Sequence, residues 1–134
     1  MEYMKGGDLK KYINAKASIS ISRVREIIHS LSTAIYYMTQ FGIVHRDLKL
    51  TNIMLEENSV NSNVKIVDFG LSALQGPTDK DTDQIGTLLY ISPEIVEGSP
   101  YGSEVDIWSM GVISYYLICK EFPFYSKHSS EVVK

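Results

Sequence analysis

The apolar residues between Ser22 and Phe41 (Val24, Ile27, Ile28, Leu31, Ile35 and Met38) recur at offsets of three, four and seven. That spacing lines one face of an amphipathic α-helix about 30 Å long. Gly42 follows where such a helix would stop in a left-handed turn. Upstream, Met1 to Leu9 reads as a short extended piece, a Gly6-Gly7 break and a helix start capped by Asp8, the helix ending before Ala17. Downstream, Ile53-Met54-Leu55 and Val64 to Val67 read as two short strands of a hairpin. The polar stretch Glu56 to Asn63 would form a long solvent loop between them. Its register would bring Asn52 and Asp68 to the same edge. Leu71 to Tyr90 carries no period, and Gly76-Pro77 breaks it ahead of the charged run Asp79 to Asp83, the usual form of a solvated loop.

The last long element runs from about Glu104 to Ile118. Ser103 and Asp106 match the capping-box spacing of a hydroxyl followed three residues later by an acid. Apolar residues from Val105 to Ile118 cover nearly every side, which predicts a helix buried all round. Phe122-Pro123-Phe124 ends it, and a further helix is expected to begin at Ser129. The resulting fold class is mainly α with a small β-hairpin (α+β).

Composition narrows the class further. The chain has 134 residues, 44% hydrophobic and 22% charged, as expected for one soluble domain with a core. A formal charge of -3 with scattered Lys and Arg offers no basic stripe, which argues against nucleic acid and against an anionic membrane surface. One cysteine, Cys119, excludes an internal disulfide. With no signal peptide at Met1 and no apolar run long enough to span a bilayer, an intracellular and cytoplasmic setting is expected. His29, on the long helix, reads as a histidine without a catalytic task.

The chemistry concentrates in His45-Arg46-Asp47-Leu48-Lys49-Leu50-Thr51-Asn52, where two cations, a carboxylate and a carboxamide follow the apolar pair Ile43-Val44. Such groups are costly to seat beside a core unless they are partnered. Asp68-Phe69-Gly70 then adds a second carboxylate at the end of a strand. Together they point to a metal and phosphate site, since magnesium prefers hard oxygen ligands.

These motifs resemble those of the eukaryotic-type protein kinases. HRDLKLTN is similar to their catalytic loop and DFG to their magnesium loop. Gly86-Thr87, Ser92-Pro93-Glu94 (where the family usually has Ala-Pro-Glu) and Asp106-Ile107-Trp108-Ser109-Met110-Gly111 follow in family order. Lys49 and Gly86-Thr87 match the serine/threonine class, and Lys65 to Ser72 is most similar to the calcium- or calmodulin-dependent group. Leu50, where many members have proline, is a small departure.

The resemblance implies a kinase-like C-lobe, with residues 1–134 forming a partial kinase domain from the hinge to the start of the helix after the central one. The N-lobe, with its glycine-rich loop, strand lysine and helix glutamate, is absent from these residues. ATP and Mg2+ would be the cofactors, and proteins bearing Ser or Thr the substrates, with a calcium-dependent regulator or calmodulin as a further partner. Asp47 would accept or orient the substrate hydroxyl proton, Lys49 would neutralise charge on the γ-phosphoryl group, and Thr87 would bond near Asp47. Asn52 and Asp68 would hold magnesium. Glu2 and Met4 would meet the adenine edge, Asp8 the ribose and Met54 the adenine floor, although Gly6-Gly7-Asp8 is by itself an ordinary turn and cap, and Met54 an ordinary core residue. Arg46 would meet an anionic group on the segment from Leu71 to Tyr90: phosphorylated Thr78 or Thr82, or the acids Asp81 and Asp83. Asp106 is left as a capping acid, an anchor for the catalytic loop, or both. A truncated, catalytically inactive binding or scaffold module is the alternative.

Overall fold

The computed structural model of the chain describes residues 3–16, 18–59, 61–76 and 78–124. Glu2, Pro77 and the helix start expected at Ser129 lie outside the described residues. The residues before the first helix run alongside a strand: Gly6 N–H donates to Leu55 O at 3.1 Å, and Leu55 N–H donates to Gly7 O at 2.9 Å. A Cβ on Gly6 would collide with the Glu57 carbonyl and the Leu55 side chain, so this glycine permits close approach. Its neighbour Gly7 makes the turn at φ +71. Helix α1 (Leu9–Asn14) then starts as predicted, with the Asp8 carboxylate accepting from Lys11 N–H at 2.8 Å.

Helix α2 (Ile21–Gln40) is capped by Ser20, whose hydroxyl oxygen accepts from Arg23 N–H at 3.2 Å. Its predicted face is the buried one: Val24, Ile27, Leu31, Ile35 and Met38 enter the core, and Ile28 packs at its margin. Gly42 stops the helix at φ +66. The chain next pairs twice. Strand β1 (Ile43–Val44) leads into the His45–Asn52 loop, which closes with a 3-10 turn at Leu50–Asn52. Strand β2 (Ile53–Leu55) pairs antiparallel with β3 (Val64–Ile66), with Ile53 opposite Ile66 and Leu55 opposite Val64. This is the expected hairpin.

Strand β4 (Ala73–Leu74) returns antiparallel to β1, although the sequence around it reads as irregular. A two-residue ladder is too short to show alternation. A single turn, α3 (Pro93–Val96), precedes α4 (Glu104–Cys119).

Two expectations for α4 need correction. Ser103 stands at the N-cap with helical instead of extended φ and ψ and makes no side-chain cap bond, and the Asp106 carboxylate that would complete a capping box is engaged elsewhere. The helix is also not buried all round. Val105, Asp106, Ser109, Val112, Ile113 and Leu117 are covered, while Ile107 is 52% and Ile118 60% exposed, with Tyr115 beside them. Helix α2 covers one side only, and apolar composition cannot say how many sides have neighbours. At its end Lys120 adopts the left-handed conformation (φ 58), and its ammonium donates to Ile13 O at 3.3 Å and to Lys16 O at the C-terminal end of α1.

The main core joins α1, α2, the loop residues Leu48 and Leu50, β2 and α4. A smaller cluster of Val44, Ile95, Tyr101 and Val105 lies apart from it. No helix among the described residues is long and apolar enough to cross a membrane.

Candidate active site

Helix α4 supplies the anchor for the polar loop. The buried Asp106 carboxylate accepts from two successive backbone amides, His45 N–H at 2.8 Å and Arg46 N–H at 3.0 Å. Burial pushes this carboxyl above the usual aspartate range, and the two N–H donors oppose the shift. Arg46 itself takes a left-handed conformation (φ 68) that a non-glycine residue seldom adopts. Of the readings open from sequence, Asp106 occupies the anchoring position. His45 is fully buried, with Nε2 3.1 Å from Val67 O and its ring 5.0 Å from that of Phe69, so it ties the loop to the end of β3.

The side chains that follow form one network around Asp47, which is 8% exposed. Its Oδ2 accepts from Lys49 Nζ at 2.6 Å and from Asn52 Nδ2 at 3.2 Å, and its Oδ1 accepts from the Thr87 hydroxyl at 2.7 Å. Lys49 Nζ also donates to Thr87 Oγ1 at 3.0 Å, and Asn52 Nδ2 to the Asp47 carbonyl at 3.0 Å. Thr87 reaches the network because Gly86, at φ +114, lets the chain pass the loop. A Cβ there would lie 2.9 Å from Arg46 O. Tyr90 N–H closes the turn onto Thr87 O at 2.8 Å, and the Ser109 hydroxyl of α4 donates to Tyr90 O at 2.9 Å. Burial pushes the Tyr90 phenol up to about 12.

Asp68 stands apart from that network. Val67 N–H donates to Asn52 O at 2.9 Å, one step beyond the β2–β3 ladder, so Asp68 and Asn52 emerge at the same end of the hairpin as expected. Asp68 is exposed and left-handed (φ 64), and its Oδ1 accepts only weakly from Gly70 N–H at 3.3 Å. A pair of hard oxygens, one from a carboxylate and one from a carboxamide, fits magnesium, which keeps water or phosphate oxygens in its other positions.

The remaining predicted residues sit along the start of the chain and β2. Met4 is buried, Met54 half-buried, and Asp8 bridges to Met54 through the backbone while its carboxylate caps α1. Sequence reasoning passed over Tyr101, which is fully buried beside Arg46 and the acidic run. Nothing in its sequence neighbourhood marks it, since its partners are distant in the chain.

Comparison with known proteins agrees with this arrangement. The family model described as the protein kinase domain matches residues 1–134. The chain is 43% identical over 135 residues to NUAK family SNF1-like kinase 2 of Rattus norvegicus, covering 100% of this chain and 21% of that protein. It is 40% identical to serine/threonine-protein kinase 33 of Bos taurus, covering 92% and 27% respectively. A plant relative, SNF1-related protein kinase catalytic subunit alpha KIN12 of Arabidopsis thaliana, is 40% identical over 92% of this chain and 24% of its own length. The chain thus spans about a quarter or less of these relatives. A match along its whole length, with the polar loop held by the central helix, shows that the chain belongs to the protein kinase domain family.

Proposed function

We propose that this chain is part of a serine/threonine protein kinase that transfers the γ-phosphoryl group of ATP to Ser or Thr hydroxyls of proteins. The observation that carries the reading is the Asp47 carboxylate, shared by the Lys49 ammonium and the Thr87 hydroxyl. In that setting Asp47 takes or orients the proton of an incoming hydroxyl. Lys49, one ammonium between Asp47 and Thr87, is available to the charge moving on the phosphoryl group, and Thr87 shapes the hydroxyl-binding side. Asn52 and Asp68 would hold Mg2+, which neutralises phosphate charge when bound. Adenosine would lie along Glu2, Met4, Asp8 and Met54. Placing the reactants supplies most of the rate. The site belongs inside the cell, where ATP is found.

A hybrid kinase provides the test: residues 1–134 replace the matching stretch of rat NUAK family SNF1-like kinase 2. Asp47→Asn in the hybrid lowers turnover by about 10²–10⁴-fold, the range for a lost general base. Asp68→Asn weakens magnesium-dependent nucleotide binding. Unchanged turnover in Asp47→Asn removes that residue from the catalytic role. The wording of Lys65 to Ser72 makes calcium-loaded calmodulin the regulator to titrate first.

The exposed Ile107, Tyr115 and Ile118 of α4 favour a second reading, a binding module without catalysis. A hybrid that binds nucleotide yet phosphorylates no protein would select it.

A further inference from the structure

We propose that the cavity between the N-terminal end of α2 and the β2–β3 loop is a docking site for a phosphate group carried on a peptide segment of another protein, held by Arg23, Arg25 and His29.

The cavity measures about 570 Å3, with α2 on one side and Asn61, Ser62 and Asn63 of the loop on the other. The loop joins the ends of β2 and β3 that point away from Asn52 and Asp68, so the cavity is separate from the network around Asp47. Arg23 is its fixed point. The side chain is 8% exposed, its Nη1 donates to Glu26 Oε2 at 3.0 Å, and its Nη2 donates to Ser62 O. Ser62 is itself held, its hydroxyl accepting from Glu57 N–H at 2.8 Å and donating to Asn63 O at 3.2 Å. The guanidinium is thereby locked against the loop, while its buried Nε has no hydrogen-bond partner among the described residues. A buried donor without an acceptor is costly, and more so on a cation that cannot lose its proton. An anion entering the cavity supplies both the acceptor and the opposite charge.

The surroundings favour a phosphate over a carboxylate. Arg25 and His29 are exposed and one helical turn apart, so both reach the same rim. The first turn of α2 carries no acidic residue to offset the positive end of the helix dipole. Glu26 is the single carboxylate of the lining, and it is already engaged with Arg23. Two guanidiniums and an imidazole against one carboxylate make a basic spot on a chain whose formal charge is -3. A second carboxylate would only repeat what Glu26 does. A phosphate has oxygens for Arg23, Arg25 and His29 together and carries close to two negative charges at neutral pH. The cavity is much larger than an inorganic anion and within the size range of ligand pockets. Asn61 on its rim offers a donor and an acceptor to a peptide backbone.

Calorimetry on the 134-residue chain tests the site with three probes: a short uncharged peptide carrying one phosphoserine, the same peptide with serine, and inorganic phosphate. The phosphopeptide is expected to bind at least about tenfold more tightly than either of the others. Arg25→Ala combined with His29→Ala weakens its binding about tenfold or more, and Arg23→Lys also weakens it, because an ammonium lacks the planar fork. Glu26→Gln tightens binding about two- to fivefold by releasing Arg23 from a competing anion. Arg25 and His29 are exposed, so their double variant decides the matter if Arg23→Lys fails to fold. The same series in the hybrid kinase decides it if the short chain is too loosely packed. Equal binding of the phosphoserine and serine peptides overturns the proposal, as does a double variant that binds like the natural protein. Inorganic phosphate bound as tightly as the phosphopeptide overturns peptide docking, and tighter binding of a single-stranded oligonucleotide overturns it in favour of nucleic acid. None of these measurements uses turnover, so their outcome is independent of the kinase reading.

Discussion

Asp106 ties the polar loop to α4 through a pair of backbone amides, and single residues of this kind carry much of the molecule's order. Replacing it with alanine strands two buried N–H groups, each worth about 1–3 kcal/mol when unsatisfied. Asp106→Ala is thus expected to destabilise the chain by about 2–5 kcal/mol. Asp106→Asn retains one acceptor and costs less. Urea unfolding of the two variants checks the order, and equal stability of Asp106→Ala and the natural protein would show that the amides find other partners. The chemistry-bearing residues were legible in sequence because their types are dense in one stretch. The use made of Asp106 was left open, since a carboxylate three residues after Ser103 suits a cap as well as an anchor. Long-range donors from His45 and Arg46 decide between them.

At the level of elements, legibility follows length and period. Helix α2 has five turns of repeating pattern and was read almost to the residue, whereas β1 and β4 offer two residues each and no period. Their ladder depends on Gly42, which ends α2 in a left-handed turn and lets the Gln75 carbonyl lie against its backbone. Gln75 N–H donates to Gly42 O at 2.7 Å in the same contact. Gly42→Ala adds left-handed strain of about 1–2 kcal/mol to a direct collision with that carbonyl. A drop of at least about 1 kcal/mol in unfolding free energy is expected, with faster exchange at the β1–β4 amides than at those of α2. A variant as stable as the natural chain would mean that the ladder shifts freely.

For the whole molecule, apolar pattern predicted which residues could be buried and overstated how many are. The face of α4 bearing Ile107, Gly111, Tyr115 and Ile118 is open among the described residues, with Phe124 stacked on Trp108 at its margin. Residues 1–134 on their own are therefore expected to bind dyes for exposed apolar surface and to melt with low cooperativity. Ile107→Gln with Ile118→Gln should lower dye binding without lowering the melting temperature. Phosphoryl transfer by the isolated chain should be negligible, because nothing in these 134 residues resembles the glycine-rich loop and strand lysine that align phosphates. A sharp melt, little dye binding and Asp47-dependent phosphorylation by the isolated chain would overturn both expectations.

The Lys120 ammonium, seated on the carbonyls at the end of α1, has a kinetic meaning. Its bond to Ile13 O joins positions 107 residues apart in the chain, and closing so long a loop costs entropy before any contact repays it. During synthesis α1 leaves the ribosome early and waits for α4 to emerge before its last turn is tied down. Leu9 and Ile13 can pack on Leu50 to Leu55 as soon as that stretch emerges, so the C-terminal turn of α1 is the part of the helix secured last.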